Sequence, residues 1–270
     1  MREPLVAGQF YPENPKELKR MIKECFLSEF GPGRLPKEKG KNIIGGIVPH
    51  AGYMYSGPCA AHLYKEITGK ERFIILGVSH RGYNGICTTL EDFKTPLGIA
   101  QLDKGLAESL IKSNLIEDNK LVHEAEHSIE VQLPFLQFVL GNKFKFVPII
   151  IGKYDGRIAK LLSQHDVCVL ASSDLTHFGY SYGYTPFTKD KKENLYKLDN
   201  SAIEIIKELN SKKFLDFCKD KTICGSLPIS ILLDYAKLKK AKAHLLKYYT
   251  SGDILNDYES AVGYASIALL

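Results

Sequence analysis

Apolar residues along this chain gather into short unbroken runs, separated by polar stretches with helical spacing. The runs Ile43 to Val48, Phe73 to Val78, Lys145 to Ile151 and Val167 to Ser172 are short, β-branched-rich and read as buried strands. Pro49 cannot continue a central ladder, so the first strand ends there. Amphipathic spacing predicts a helix from Pro15 to about Phe30, with Asn14 as N-cap and Pro15 at the first position. Gly31-Pro32-Gly33 ends it, and a basic loop leads on to the first strand. Further helices are predicted over Cys59 to Ile67 (Pro58 in its first turn), Asp103 to Ser113, Asp190 to Leu209, Ser211 to Lys219, and on to about Lys237. Ile86 to Leu90 reads as a strand, Thr95 to Gly98 as a turn, and Ala243 to Thr250 and Ala261 to Leu269 as closing strands.

The chemistry clusters where these strands stop. His50 follows the first strand directly after Pro49, and His80 follows the Phe73 run. In open α/β sheets, sites form outside the carboxyl ends of strands, so two imidazoles at the ends of two adjacent strands make a candidate metal or catalytic site. The Val167 run repeats the pattern with Asp174 and His177, which shifts the balance from structural histidines towards function. Cys224 lies in a loop before a helix N-terminus, where the helix dipole favours a thiolate; the alternative is a small buried core residue. His123-Glu124-Ala125-Glu126-His127 matches H-E-x-x-H, but that zinc-protease motif needs one continuous helix. Here the apolar helical pattern begins only near Ser128 and meets Pro134, so a loop-to-helix junction is expected instead. The Gly/Tyr-rich stretch Tyr180 to Tyr184 is a candidate wall of the site or an interface.

Composition narrows the class. With 270 residues, 44% hydrophobic and 25% charged, the chain has ample length for a core, and no linker, repeat or low-complexity tract divides it. One domain over residues 1–270 is expected. The net charge of +5 comes largely from lysines between Lys189 and Lys247, spaced as solvated helix faces, and no nucleic-acid motif accompanies them. No apolar run approaches the roughly 18–20 residues that span a bilayer, and the first residues break before a signal-peptide core can form. The six cysteines are scattered without a C-x-x-C pair, which points to free thiols in a reducing cytoplasm.

Taken together, these segments resemble the Memo family, also described as the AmmeMemoRadiSam system protein B family. The matching stretches are Val48-Pro49-His50-Ala51-Gly52-Tyr53, Leu76-Gly77-Val78-Ser79-His80, Glu126-His127-Ser128-Ile129-Glu130, Ser172 to Gly179, and Thr222-Ile223-Cys224-Gly225 with Pro228 and Ile229. The resemblance implies a three-layer α/β/α fold around a mixed, mostly parallel sheet, like that of class III extradiol dioxygenases. It also implies His50, His80 and Cys224 as metal ligands, with Asp174, His177 and His127 lining the pocket. Those dioxygenases hold iron with two histidines and a carboxylate, whereas the third ligand here would be a thiolate, which admits copper and zinc more readily. The expectation is therefore a metal-dependent redox protein, carrying iron or copper and acting on a small organic substrate or oxygen. His177 would be its acid/base or a hydrogen-bond donor beside the ligands, and Asp174 would set the tautomer of His177 or bind a substrate group. Zinc-dependent hydrolysis is one alternative, and a non-enzymatic module that binds a peptide or protein in the same pocket is another. The system name implies work alongside a radical-SAM protein; neither a nucleic acid nor a membrane is expected as a partner.

Overall fold

Four parallel apolar runs form the centre of a nine-stranded mixed sheet in this computed structural model, which describes residues 1–37, 40 and 42–270. Residues 38, 39 and 41 of the expected basic loop lie outside the described residues. In chain order the elements are α1 (Pro15–Leu27), β1 (Gly45–Val48), α2 (Tyr53–Tyr64), β2 (Arg72–Val78), β3 (Ile86–Thr88), β4 (Phe93–Thr95), β5 (Gly98–Ala100), α3 (Lys104–Ile111), β6 (Glu117–Asp118) and α4 (Lys120–Glu124). They continue with α5 (Leu133–Leu140), β7 (Lys145–Ile151), α6 (Arg157–Ser163), β8 (Cys168–Ser172) and β9 (His177–Gly179). The last are α7 (Lys191–Lys207), α8 (Ser211–Cys218), α9 (Ser226–Leu238), β10 (Ala243–Thr250), α10 (Ser251–Leu255) and β11 (Ser260–Leu269).

The sheet order is β10-β11-β1-β8-β2-β7-β3-β6, with β9 paired to β11 and a separate β4-β5 hairpin. Pairing is parallel across β1-β8-β2-β7 and antiparallel where β11 meets β1, β9 and β10. Alternate residues of the central strands feed two cores. Ile47, Ile74, Leu76, Val147, Ile149, Val169 and Ala171 face α3 and α6 to α9. Val48, Phe73, Ile75, Phe146, Ile150, Cys168 and Leu170 face α1, α2 and α5. The result is a three-layer α/β/α arrangement, as a sheet apolar on both faces requires. No helix among the described residues is long and apolar enough to cross a membrane.

The structure corrects several local expectations. β1 and β2 are not adjacent, because β8 lies between them and pairs with both. Helix α2 begins at Tyr53, so Pro58 sits inside it rather than in its first turn. An interior proline is normally excluded from helices. Here the Tyr53 N–H is satisfied by the Phe10 carbonyl at 2.8 Å, a distant partner that starts the helix early. The helix packs so closely on α1 that a Cβ at Gly57 would lie 2.5 Å from Cys25 Sγ. The Thr95 to Gly98 turn is the tip of the β4-β5 hairpin, and α6 and α10 have no counterpart in the sequence reading.

Asp199 of α7 is fully buried behind the Asp174 to His177 loop, accepting the Thr176 N–H at 3.2 Å and the Tyr248 hydroxyl at 2.8 Å. Burial pushes its carboxyl up to about 6, against those hydrogen bonds. A raised native value means that the folded state binds the proton more tightly than the unfolded chain, whose aspartate titrates near about 3.9. The associated stability is complete below about pH 4 and is lost as pH rises through about 6. Asp199→Asn, neutral throughout, should therefore unfold above wild type at pH 7.5, by about 3 kcal/mol, and lose that advantage by about pH 4. Denaturant melts at both pH values check this, and a pH-independent difference would exclude the carboxylate as the cause.

Candidate metal centre

Three neighbouring parallel strands deliver side chains to one place with the same offset. β1 ends at Val48, β8 at Ser172 and β2 at Val78, and His50, Asp174 and His80 each stand two residues further on. Because β8 lies in the middle, Asp174 comes up between the two imidazoles' strands, and its carboxylate accepts the His50 backbone N–H at 2.8 Å. Cys224 arrives from the loop before α9. It can do so because residue 225 is glycine: a Cβ there would lie 2.3 Å from that of Ser173. The Gly225 N–H is bound by Ser173 Oγ at 2.9 Å.

A buried hydroxyl fixes the tautomer of His50. Ser172 Oγ lies 2.6 Å from the Ser128 carbonyl, which can only accept, so the serine proton points there. Its lone pairs then receive the Gln132 amide at 2.7 Å and His50 Nδ1–H at 3.0 Å. The Gln132 orientation follows from its other bonds, Nε2 to the Pro49 carbonyl at 3.0 Å and Oε1 from the Tyr64 hydroxyl at 2.8 Å. His50 Nε2 is left as a bare lone pair facing the Cys224 sulfur at 3.4 Å. Burial lowers the His50 imidazole to about 4, the Asp174 charge opposing, so this lone pair is free at neutral pH.

Glu126 plays the corresponding part for His80. Its carboxylate accepts His80 Nδ1–H at 2.9 Å together with the backbone N–H groups of His80, His127 and Ser128. Burial pulls this carboxyl up, but the His80 imidazole and the backbone donors outweigh it and hold it well below the usual carboxylate range. With its lone pairs so engaged, Glu126 orients His80 and leaves Nε2 free, the arrangement seen behind metal-bound imidazoles generally. His127 stacks on His80 with ring centroids 4.7 Å apart and stands edge-on to His50 at 5.6 Å. Its ring makes no hydrogen bond among the described residues, and burial lowers its imidazole. His123 is elsewhere: α4 ends at Glu124, and the buried His123 donates Nε2–H to the Cys87 carbonyl at 3.3 Å. The H-E-x-x-H string therefore straddles a helix end and does not present its two histidines together.

The ligand atoms of His50, His80 and Cys224 all lie within 4.8 Å of one another. One first-row ion, with ligand bonds of about 2.0–2.3 Å, would take up such a set with small side-chain adjustments. Burial, and then the Asp174 charge, push the Cys224 thiol up, while the Asp174 N–H donates to its sulfur at 3.3 Å. Coordination to a cation would deprotonate this thiol outright. His80, Glu126 and His127 form a second such grouping, but the hydrogen bonds just described already engage Glu126.

Beside this cluster opens a cleft of about 430 Å³, walled by Phe10, Tyr55, Tyr182, Val262 and Tyr264. His177 and Asp174 line it. His177 Nδ1–H points at the carbonyls of Thr222 (3.0 Å) and Leu175 (3.2 Å), so backbone carbonyls and not Asp174 set its tautomer. Its Nε2 faces the cleft, 3.9 Å from Asp174 Oδ2, beyond a hydrogen bond. The sequence alone assigns no role to Glu126, Ser172, Gln132 or Thr222. The Glu126-His127-Ser128-Ile129-Glu130 stretch carries a usable hint, because it places two carboxylates directly before the apolar run from Val131, where they are costly to bury unpaired.

Known proteins resemble this chain over nearly its whole length. A family model described as Memo-like protein matches residues 2–268. A MEMO1 family protein of Methanopyrus kandleri is 38% identical over 287 aligned residues, covering 98% of each chain. One from Methanosarcina barkeri is 37% identical, covering 99% of each. A solved structure of an uncharacterized Escherichia coli K12 protein aligns with a TM-score of 0.46 at 11% identity, covering 74% of this chain and 86% of that one.

Proposed function

This chain belongs to the Memo family, and from that membership we propose that it is a metal-dependent redox protein acting on a small organic substrate or on oxygen. His50 Nε2, His80 Nε2 and Cys224 Sγ would hold one iron or copper ion. The observation that carries this reading is their convergence within 4.8 Å, with both Nδ1–H groups already committed to Ser172 and Glu126. Two imidazoles and a thiolate suit copper, iron or zinc. When bound, such an ion supplies Lewis acidity and one-electron chemistry.

The protein's own groups do the rest. Phe10, Tyr55, Tyr182 and Tyr264 line the cleft and offer flat apolar area to a ligand. His177 takes or returns a proton at Nε2, the nitrogen its backbone contacts leave free. Asp174 Oδ2 accepts a hydrogen bond from a hydroxyl or amine of the substrate, and His127 offers a neutral imidazole to the same cleft.

Anaerobic purification without an affinity tag, followed by metal analysis and optical spectra, tests the reading; stoichiometric iron or copper is expected. Stoichiometric zinc would replace it with metal-assisted hydrolysis, for which two histidines, one cysteine and a water form a known shell. A metal-free protein that still binds a peptide or protein in the cleft would make it a binding module.

The tautomer network yields its own prediction. Ser172→Ala leaves His50 Nδ1–H, a Gln132 N–H and the Ser128 carbonyl without their partner. Metal affinity should fall about 10–100-fold, the usual effect of losing a group that orients a ligand. Stability should fall by about 1–3 kcal/mol from the buried polar groups left unpaired. Competition titration and thermal melts separate the two effects, and lowered stability at unchanged affinity would reduce Ser172 to packing.

A further inference from the structure

We propose that the N-terminal segment from Arg2 to Phe10 is a latch on the proposed metal centre, with Arg2 the positioning residue that keeps Glu126 against His80. This rests on the metal-binding reading of His50, His80 and Cys224. Arg2 is only 2% exposed, an unusual fate for an arginine so near a chain's first residue. Its guanidinium donates Nε–H to the His123 carbonyl at 2.7 Å and Nη2–H to the Glu126 carbonyl at 2.6 Å. Nη1 meets Glu130 Oε2 at 2.7 Å, within an ion pair whose side chains are 1% and 0% exposed. The planar group also lies over the Phe93 ring, 4.7 Å from its centroid.

These contacts fall where the His123 to His127 loop needs support. α4 ends at Glu124, where the His123 carbonyl closes a turn by accepting the Ala125 N–H and, at 3.4 Å, the Glu126 N–H. The fork of Arg2 adds a bond to the His123 carbonyl and one to the Glu126 carbonyl, and so ties down both ends of that turn. Glu126 must present its carboxylate to His80 Nδ1 and three backbone N–H groups simultaneously, which tolerates little displacement of that backbone.

The same segment is anchored to the same region again. Glu130 accepts the Leu5 and Val6 N–H groups at 2.8 and 3.0 Å, and the Tyr11 hydroxyl. The Phe10 ring stands edge-on to His127 with centroids 4.9 Å apart. The Phe10 carbonyl receives the Tyr53 N–H just after the His50 loop. One short stretch thus holds the Glu126 loop that supports His80 and the helix start that follows His50, and a buried arginine is what its grip depends on. Lysine cannot copy it, because a single ammonium does not reproduce the planar fork.

Arg2→Lys keeps a cation opposite Glu130, so it is the first variant to test; Phe10→Leu loosens the other end and leaves the buried ion pair intact. Cobalt(II) is the probe, with affinity read by competition with a chelator, the site by its absorption spectrum, and the fold by thermal melts. Arg2→Lys should weaken cobalt binding about tenfold. In proton NMR of the metal-free protein, the His80 Nδ1–H signal should exchange faster in Arg2→Lys than in wild type. Phe10→Leu should weaken cobalt binding by a smaller factor with its melt close to wild type.

A lower melting temperature in Arg2→Lys, with wild-type cobalt affinity, spectrum and His80 proton exchange, would make Arg2 a fold anchor only and overturn the latch. If Arg2→Lys does not fold, unchanged cobalt affinity in Phe10→Leu overturns it. Wild-type protein that fails to bind cobalt defeats the metal reading itself, an outcome distinct from normal wild-type binding with insensitive variants.

Discussion

Cys224→Ser should cost the protein roughly a hundredfold in cobalt(II) affinity and abolish sulfur-to-metal charge-transfer absorption. Apparent binding free energies of about 10–16 kcal/mol for four-ligand structural zinc sites imply about 3 kcal/mol per ligand, which is the scale of this loss. A serine hydroxyl is a poor substitute because it is not deprotonated near neutral pH. The fold should tolerate the change: an oxygen can still accept the Asp174 N–H that now reaches the sulfur at 3.3 Å. Both proteins should also unfold cooperatively after chelation, because two large cores on either side of the sheet form without the site. The rival reading, Cys224 as small core filling, expects the opposite pattern, a modest loss of stability with no change in cobalt affinity. Unchanged affinity in Cys224→Ser would leave at most a two-histidine site and remove the thiolate from the chemistry.

The sequence made the strands visible because burial on both faces writes itself locally, as continuous β-branched runs. The histidines at their ends were visible for the same reason, since His50 and His80 each follow such a run within two residues. Strand order was not visible: placing β8 between β1 and β2 depends on pairing among residues about 95–125 positions apart, which no local period encodes. Cys224 joined the ligand set through the family resemblance, because its approach to His50 spans 174 positions. The start of helix α2 is not legible in the sequence, because its first N–H is satisfied by Phe10, outside any local capping pattern. The supports behind the ligands stayed hidden on the same grounds. Ser172, Gln132, Glu126 and Arg2 act through hydrogen bonds between segments, and only Ser172 and Glu126 stand in stretches the sequence singles out.

His177→Ala should retain stoichiometric metal while turnover falls by about 10²–10⁴, the usual contribution of a positioned acid or base. The reasons are geometric. His177 Nδ1–H is taken by the Leu175 and Thr222 carbonyls, and its backbone is held by the Thr222 hydroxyl, which accepts the His177 N–H at 3.0 Å. Only Nε2 is left to act, and it lines the cleft outside the convergent ligand set. Asp174 asks for a gentler substitution, because one of its oxygens supports the His50 backbone at 2.8 Å. Asparagine can turn its carbonyl to that N–H and keep the bond, so Asp174→Asn removes the charge from the cleft without unseating His50. It too should keep the metal and lose turnover, whereas Asp174→Ala should lose part of both. Metal analysis of the folded variants, beside turnover measured as oxygen uptake or substrate loss, separates these outcomes. Loss of metal from both His177→Ala and Asp174→Asn, with melts unchanged, would mean that the ion sits on this side of the cleft and that His50, His80 and Cys224 are not its full set of ligands.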